Sequence, residues 1–514
     1  MLVLGLVVYG LRSIALPAIP GRDFGTYLNY YAQMWDWDSV TPMSMLYRTP
    51  LAPLVVGGAL DLAGGWGLQV VMALLFALSI VVWTRVALVF GRRAALLTAA
   101  ALLVYPGYGF LFHLPASEPV VALAFGLWAL ALARAWVDPA PGRFALVGLA
   151  TAATALVRPA YLVLVLVAAL PLALRGAWRG RLVSAAACAA VAFVVLGSWA
   201  VLNGLRYDDT TVSRGTGAFL PFYRAFTTDH IVSPENGPAS RELAALVERE
   251  LLGEEPYRSY EVTLEDFFAR GSPRMFEDVV GITDREWGWD SDYAQMRAVG
   301  IEAVRARPGR YARGVGGSIL AELWRPLYVE LPDAGVPATI PVPPTQRPSS
   351  LPEPSDGELV PAARQGFFAT TPTGHITEVW TSPTEHSLVF ATDEQKRRYA
   401  AAGDQVGKLL AGVPPYAGND WLTLQLSRSS KLFPPPLLWL LAGIAGLAIR
   451  RPRNGGLALA LAGGALLVVS FQALAIYTII EFAVPVAPAL IVLGVAGWLG
   501  VTSPSDRGAR SAVA

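Results

Sequence analysis

A single cysteine, Cys188, stands in 514 residues, so no internal disulfide can form and paired-cysteine chemistry is excluded. The four histidines (His113, His230, His375, His386) are scattered and form no HExxH pair, so no closely spaced metal-ligand set exists among them. Lysine is nearly absent: Lys396, Lys408 and Lys431 are all there is among 40 basic residues. Charge of either sign is scarce, at 15% of residues against about 25% in soluble domains. No basic patch lies outside membrane-flanking positions, so nucleic acid is not an expected partner. What the chain has instead is apolar sequence: 54% hydrophobic residues and a mean hydropathy of +0.45. Apolar runs of spanning length recur, which predicts a multi-pass protein of the cell (plasma) membrane in contact with lipid.

The formal net charge of +1 is a cancellation. Residues 203–431 carry 31 acids and 23 bases, leaving 8 acids and 17 bases for the rest of the chain. Ten apolar segments can be laid out, at about 1–17, 68–90, 94–112, 119–136, 144–159, 160–174, 183–202, 432–449, 455–475 and 482–500. Arginine clusters at every second turn (Arg92/Arg93, Arg134/Arg143, Arg175/Arg179/Arg181, Arg450/Arg451/Arg453), and the positive-inside rule makes those turns cytoplasmic. The fold class expected is therefore an all-α polytopic membrane protein of about ten transmembrane helices. A large extracytoplasmic domain, α-rich with room for α+β character, completes it.

Four parts follow: an N-terminal module of seven spans over 1–202 with an outer loop at 18–67, an outer helical segment over 203–330, a proline-rich linker and distal segment over 331–431, and a C-terminal module of three spans over 432–514. Helical spacing runs through Ser240–Leu252, Asp284–Arg307 and Asp393–Leu410, and Thr373–Thr392 alternates enough for a strand or two. Residues 311–330 read as an amphipathic helix on the outer surface. The first segment is expected to be an uncleaved span, because it lacks the basic start of a signal peptide.

Three places put charge where apolar sequence predicts none. The first outer loop reads Arg22-Asp23-Phe24-Gly25-Thr26-Tyr27 and continues to Tyr47-Arg48-Thr49-Pro50. Its aromatics read first as an interfacial belt, since Trp and Tyr are enriched at every membrane interface, with substrate stacking as the second reading. Ser117-Glu118-Pro119 opens another span on the outer side, where the acid could act in a site or only favour a helix N-terminus. Arg158-Pro159 interrupts an apolar run, either as a snorkelling arginine or as a functional ionisable group. Tyr207-Asp208-Asp209 opens the outer domain and is a secondary candidate for acceptor contacts.

Taken in order, these motifs resemble the GT-C glycosyltransferases, in particular the protein-mannosyltransferase-like and aminoarabinose-transferase-like superfamily. The matching features are an Asp in the first outer loop, then Tyr-Arg-Thr-Pro-Leu-x-Pro, a Phe-Gly-Arg-Arg turn, Ser-Glu-Pro, Leu-Val-Arg-Pro, and Trp199 to Asn203 opening a large outer segment. The resemblance covers about residues 1–225, Ala303–Leu320 and the last spans. It implies an inverting transfer of sugar from a polyprenyl-phosphate donor to an acceptor hydroxyl on a glycan, lipid or protein. Asp23 takes the position of the general base. Arg48, Arg158 and Arg22 are candidates for the donor phosphate, because a leaving phosphate needs a cation and arginine binds it bidentately. Glu118 falls where a second acid often stands, and Tyr27 is a substrate-contact candidate.

One departure concerns the last span, where relatives often read Arg-Tyr-x-x-Pro-x-x-Pro. This chain has Glu481-Phe482-Ala483-Val484-Pro485-Val486-Ala487-Pro488. The reversed sign hands phosphate binding to Arg158 or Arg48, or pairs Glu481 with one of them. No cofactor is firmly indicated; a divalent metal would need Asp23, Glu118 and His113 to converge. Two alternatives stay open: a lipid-linked glycan flippase or transporter, and a non-catalytic GT-C-like binding protein.

Overall fold

The computed structural model describes residues 1–18, 24–37, 42–174, 176–214, 220–253, 257–258, 261–287, 294–324, 364–371, 374–380, 386–413, 419–430, 432–475 and 482–501. The N-terminal module is built of α1 (Leu2–Ala15), α2 (Phe24–Gln33), α3 (Pro42–Tyr47), α4 (Leu51–Leu88), α5 (Arg92–Val104), α6 (Pro106–Leu111), α7 (Ser117–Val137) and α8 (Pro141–Val157). A 3₁₀ segment, Pro159–Ala173, and α9 (Trp178–Tyr207) complete it. Among the described residues, four helices are long and apolar enough to cross a membrane: α4, α7, α9 and Gly455–Ala475. Shorter apolar stretches are α1, α8, the 3₁₀ segment, Pro436–Arg450 and Ala487–Leu499. Each apolar segment expected from the sequence coincides with one of these nine or with the α5–α6 pair, which Pro106 divides.

The 3₁₀ segment is unusual for its length, since such runs seldom exceed a turn or so. At about 2.0 Å of rise per residue it covers about 30 Å, roughly the hydrocarbon thickness of a bilayer. Arg181 of α9 donates to the carbonyls of Leu172 (2.9 Å) and Leu174 (3.3 Å), closing its C-terminal end. Much of α9 faces outward, with Phe193, Val194 and Leu205 uncovered, as suits a helix against lipid.

The outer loop expected over 18–67 is largely helix instead. α4 already begins at Leu51, because Val56, Ala59 and Leu60 find the interior and Gly57 admits the Tyr31 ring. A break at Ala63–Gly64, where Gly64 adopts a left-handed φ of 58°, redirects α4 into its long apolar part. The freed N–H of Gly65 donates to Gly412 O at 2.7 Å, just beyond the outer helix α16 (Asp393–Ala411).

The outer helical segment has a hydrophobic core of its own. α10 (Phe222–Thr227), α11 (Pro238–Glu250), α12 (Leu264–Ala269), α13 (Pro273–Trp287) and α14 (Ala294–Ala306) bury Phe222, Phe226, Leu243, Phe267, Met275 and Val299 against one another. The helical spacing read over Asp284–Arg307 is met by the end of α13, to Trp287, and by α14 from Ala294, while residues 288–293 lie outside the described residues. Glu302 of α14 caps α11, accepting from the N–H groups of Ala239 (3.1 Å) and Ser240 (2.8 Å). α15 (Pro308–Trp324) then runs back to the bundle. Farther on, β1 (Arg364–Thr371), β2 (Gly374–Trp380) and β3 (His386–Val389) form an antiparallel sheet in the order β1-β2-β3. Register pairs Arg364 with Trp380 and Trp380 with His386. Most of the proline-rich linker lies outside the described residues.

The chain closes with α17 (Asp420–Ser430), α18 (Pro436–Arg450), α19 (Gly455–Ala475) and α20 (Ala487–Leu499). α18 and α20 approach through glycine: a Cβ on Gly446 would lie 2.6 Å from the carbonyl carbon of Gly497. Small residues allow such backbone contact in membrane helices. α19 packs against both the 3₁₀ segment and α15. Its C-terminal carbonyls hold the outer segment, with Arg224 of α10 donating to Ala473 O (2.7 Å) and Tyr311 of α15 to Leu474 O (3.0 Å).

Candidate functional site

Arg158 is placed by its neighbours in sequence. Pro159 at the first turn of the 3₁₀ segment disfavours helical geometry for the preceding residue, and Arg158 is extended (φ −150°, ψ 119°). The side chain thereby leaves the helix line and meets the N-terminus of α7. There it forms an ion pair with Glu118, and Nη1 also donates to Ser117 Oγ at 3.3 Å. Phe482, the first described residue of the last apolar segment, lies under the guanidinium with its ring centre at 4.3 Å. Tyr27 and Tyr161 stand within electrostatic reach of Arg158. Arg48 lies over the Tyr27 ring at 5.3 Å. Four candidates from distant parts of the chain (Tyr27, Arg48, Glu118 and Arg158) thus meet in one neighbourhood.

Glu118 stands in the first turn of α7, where a carboxylate favours the helix N-terminus, but it makes no capping bond there and its carboxylate pairs with Arg158. Arg158 does not snorkel, for only 17% of its side chain is exposed. The aromatics of α2 are not an interfacial belt: Tyr27, Tyr30 and Tyr31 are buried, and the Tyr31 hydroxyl donates to Asp61 at 2.9 Å. Among the described residues every side-chain hydrogen bond of Arg158 comes from Nη1. Its Nε–Nη2 edge, the face that binds phosphate or carboxylate bidentately, is engaged by none of them.

Asp23 and Arg22, directly before α2, lie outside the described residues, and so does Glu481, directly before Phe482. Asp208 is exposed at the left-handed C-cap of α9 (φ 56°), beside Tyr207, whose ring packs with Tyr30 and Leu46. The buried acid there is Asp209, paired with Arg214 at 2.8 Å. Nearby, Arg206 donates to the carbonyls of Met34 (3.1 Å) and Asp36, and Ser213 to Tyr47 O (3.0 Å), fastening the outer segment to the first loop. His113 is a core residue, buried and stacked on the Tyr9 ring at 4.4 Å.

Four buried charges, Arg214, Arg224, Asp229 and Glu322, escaped the sequence reading. Arg214 and Arg224 look like ordinary polar-segment arginines in the sequence. Arg224 is in fact fully buried, bidentate to Asp229 (2.9 and 3.1 Å) and bonded to Ser318 Oγ (3.0 Å). Burial raises the Asp229 carboxyl above its ordinary pKa even with that partner. Glu322, on α15, is 1% exposed. Burial pushes its pKa up to about 8 against the opposing pull of Arg158 and Arg224. The only signal for it was an acid one turn beyond Ser318 in an otherwise apolar stretch.

No protein-family model matches the chain, and no curated protein matches it significantly. Solved structures similar to it are two of ArnT from Cupriavidus metallidurans. The one bound to undecaprenyl phosphate is 14% identical with a TM-score of 0.37, covering 96% of this chain and 76% of that one. The apo structure is 15% identical with a TM-score of 0.32, covering 96% and 75%. The likeness is loose at these scores.

Proposed function

We propose that the protein is an integral-membrane inverting glycosyltransferase, acting on the extracytoplasmic face with a polyprenyl-phosphate-linked sugar as donor. The observation that carries this is the arginine pair at the α2–α7 end of the bundle. Arg158 is oriented by Glu118, Ser117 and Phe482, with its bidentate edge not engaged by any described residue, and Arg48 reaches the same place through Tyr27. In the reaction, an acceptor hydroxyl oxygen bonds to the anomeric carbon as the bond from that carbon to the phosphate oxygen breaks. The hydroxyl proton goes to the Asp23 carboxylate, and the bonding electrons leave with the polyprenyl phosphate. The guanidinium groups stabilise the charge that develops on the departing phosphate. Arg22 is a third cation for it, and Tyr27, Asp208 and Glu481 are proposed to contact substrate.

Asp23→Asn is the direct test. A positioned base contributes about 10²–10⁴-fold, so transfer from a polyprenyl-phosphate sugar in proteoliposomes should fall by that factor while membrane insertion is unchanged. Retained transfer would reject the base. Charged hydrogen bonds are worth about 1.5–3 kcal/mol, so Arg158→Gln should weaken donor binding by about tenfold or more. Unchanged donor affinity in both Arg158→Gln and Arg48→Gln would reject the phosphate role.

A further inference from the structure

Glu322 is buried, and neither of its carboxyl oxygens has a hydrogen-bond partner among the described residues. A buried acid without partners is among the costliest groups to ionise, and such groups respond by holding their proton. The charges acting on it are both guanidinium groups, Arg158 from the turn before the 3₁₀ segment and Arg224 from α10. Each is already committed, Arg158 to Glu118 and Arg224 to Asp229.

Of the elements packed against α15, α19 brings no charge, only Gln472, a buried neutral amide whose oxygen and nitrogen also lack described partners. α18 brings Arg450, at its far end on the carbonyl of Trp498. α14 brings Arg297, Glu302 and Arg305, with Glu302 spent on the cap of α11. The Tyr161 hydroxyl of the 3₁₀ segment, within electrostatic reach of Arg158, is likewise buried and has no hydrogen-bond partner among the described residues. Buried polar groups are normally satisfied. Two that are not, Glu322 and Tyr161, both within electrostatic reach of Arg158, call for a polar ligand.

We propose that Glu322 is a proton-linked positioning residue for an anionic phosphate held at Arg158: as a neutral acid it admits the anion, and its ionisation repels it. The proposal rests on the reading of Arg158 as the donor-phosphate ligand. Glu118 already supplies one negative charge to Arg158, and the phosphate adds a second. An ionised Glu322 would add a third in a place with little water, whereas the protonated carboxyl offers an O–H donor. Linkage is reciprocal: a phosphate that raises the proton affinity of Glu322 is itself bound more tightly when Glu322 is protonated. Because burial lifts Glu322 to about 8, the transition falls in the neutral-to-alkaline range.

Binding of undecaprenyl phosphate to the detergent-solubilised full chain, measured from pH 7 to 9.5, tests this. Wild-type affinity should fall about tenfold over that range, a typical coupling between linked sites. The phosphate's own second ionisation, near 6, is largely complete below it and acts in the opposite sense. Glu322→Gln, which mimics the neutral acid in shape, should bind with the low-pH affinity throughout, and Glu322→Asp should restore a fall. A flat wild-type profile, or a Glu322→Gln profile that still falls like wild type, overturns the proposal. Arg158→Gln separates the two levels. If it binds weakly at every pH, the phosphate reading stands whatever Glu322 does; if it binds like wild type, that reading and this one fall together.

Discussion

A guanidinium held at one nitrogen by a carboxylate, with an aromatic ring beneath its plane, is fixed in direction before any ligand arrives. For Arg158 that fixing depends on Glu118, and removing one partner of a largely buried pair costs about 3–5 kcal/mol. Glu118→Gln should therefore lower the thermal midpoint of the solubilised protein. The double variant with Arg158→Gln should lose less than the sum of the single losses. Glu322 gives a second prediction, with a definite sign. Its folded pKa of about 8 lies above the unfolded value near 4.3. Between those values the folded state holds a proton that the unfolded state has released, so stability declines as pH rises, by up to about 1.4 kcal/mol per unit. Glu322→Gln should remove that decline: its midpoint should exceed wild type at pH 8 and match it near pH 4, and equal midpoints at pH 8 would contradict the shift. Arg158 and Glu118 were legible because each interrupts an apolar run next to a proline. Glu322 was not, because amphipathic periodicity assigns an acid to the wet side of a helix, and only the packing of α15 onto α19 puts it inside.

Among the elements, the joints are more informative than the helices. Arg224 ties α10 to the last carbonyls of α19, and its loss would leave Asp229 buried without its cation. Arg224→Ala should cost about 3–5 kcal/mol, read as faster proteolytic cleavage within 220–311 while the α18–α20 unit stays intact. The α18–α20 contact predicts a contrast between two glycines. Gly446→Leu forces a side chain into the backbone of Gly497, and such overpacking costs typically about 1–3 kcal/mol. A Cβ on Gly463 of α19 meets nothing within 4 Å, so Gly463→Leu should leave the thermal midpoint unchanged. Hydropathy located the apolar elements well, since composition over a dozen or more residues decides them. It missed the helical start of α4, which lay inside the outer loop expected over 18–67, because a Tyr31–Gly57 contact between separate helices decides it.

At the scale of the whole molecule, orientation rests on where the arginines fall, and labelling can check it. In a Cys188→Ser background, a membrane-impermeant maleimide added to intact cells should modify Ala245→Cys on α11. It should reach Pro139→Cys, in the α7–α8 turn, only after permeabilisation; the reverse pattern would invert the proposed topology. The long 3₁₀ segment bears on the same geometry. Its upper end carries Arg158, and its lower end is gripped by Arg181. Rewinding its fifteen residues from three to 3.6 per turn would shorten it by about 7 Å. The pitch of this one stretch of backbone therefore acts as a spacer, setting how far the Arg158 guanidinium stands from the opposite rim of the protein.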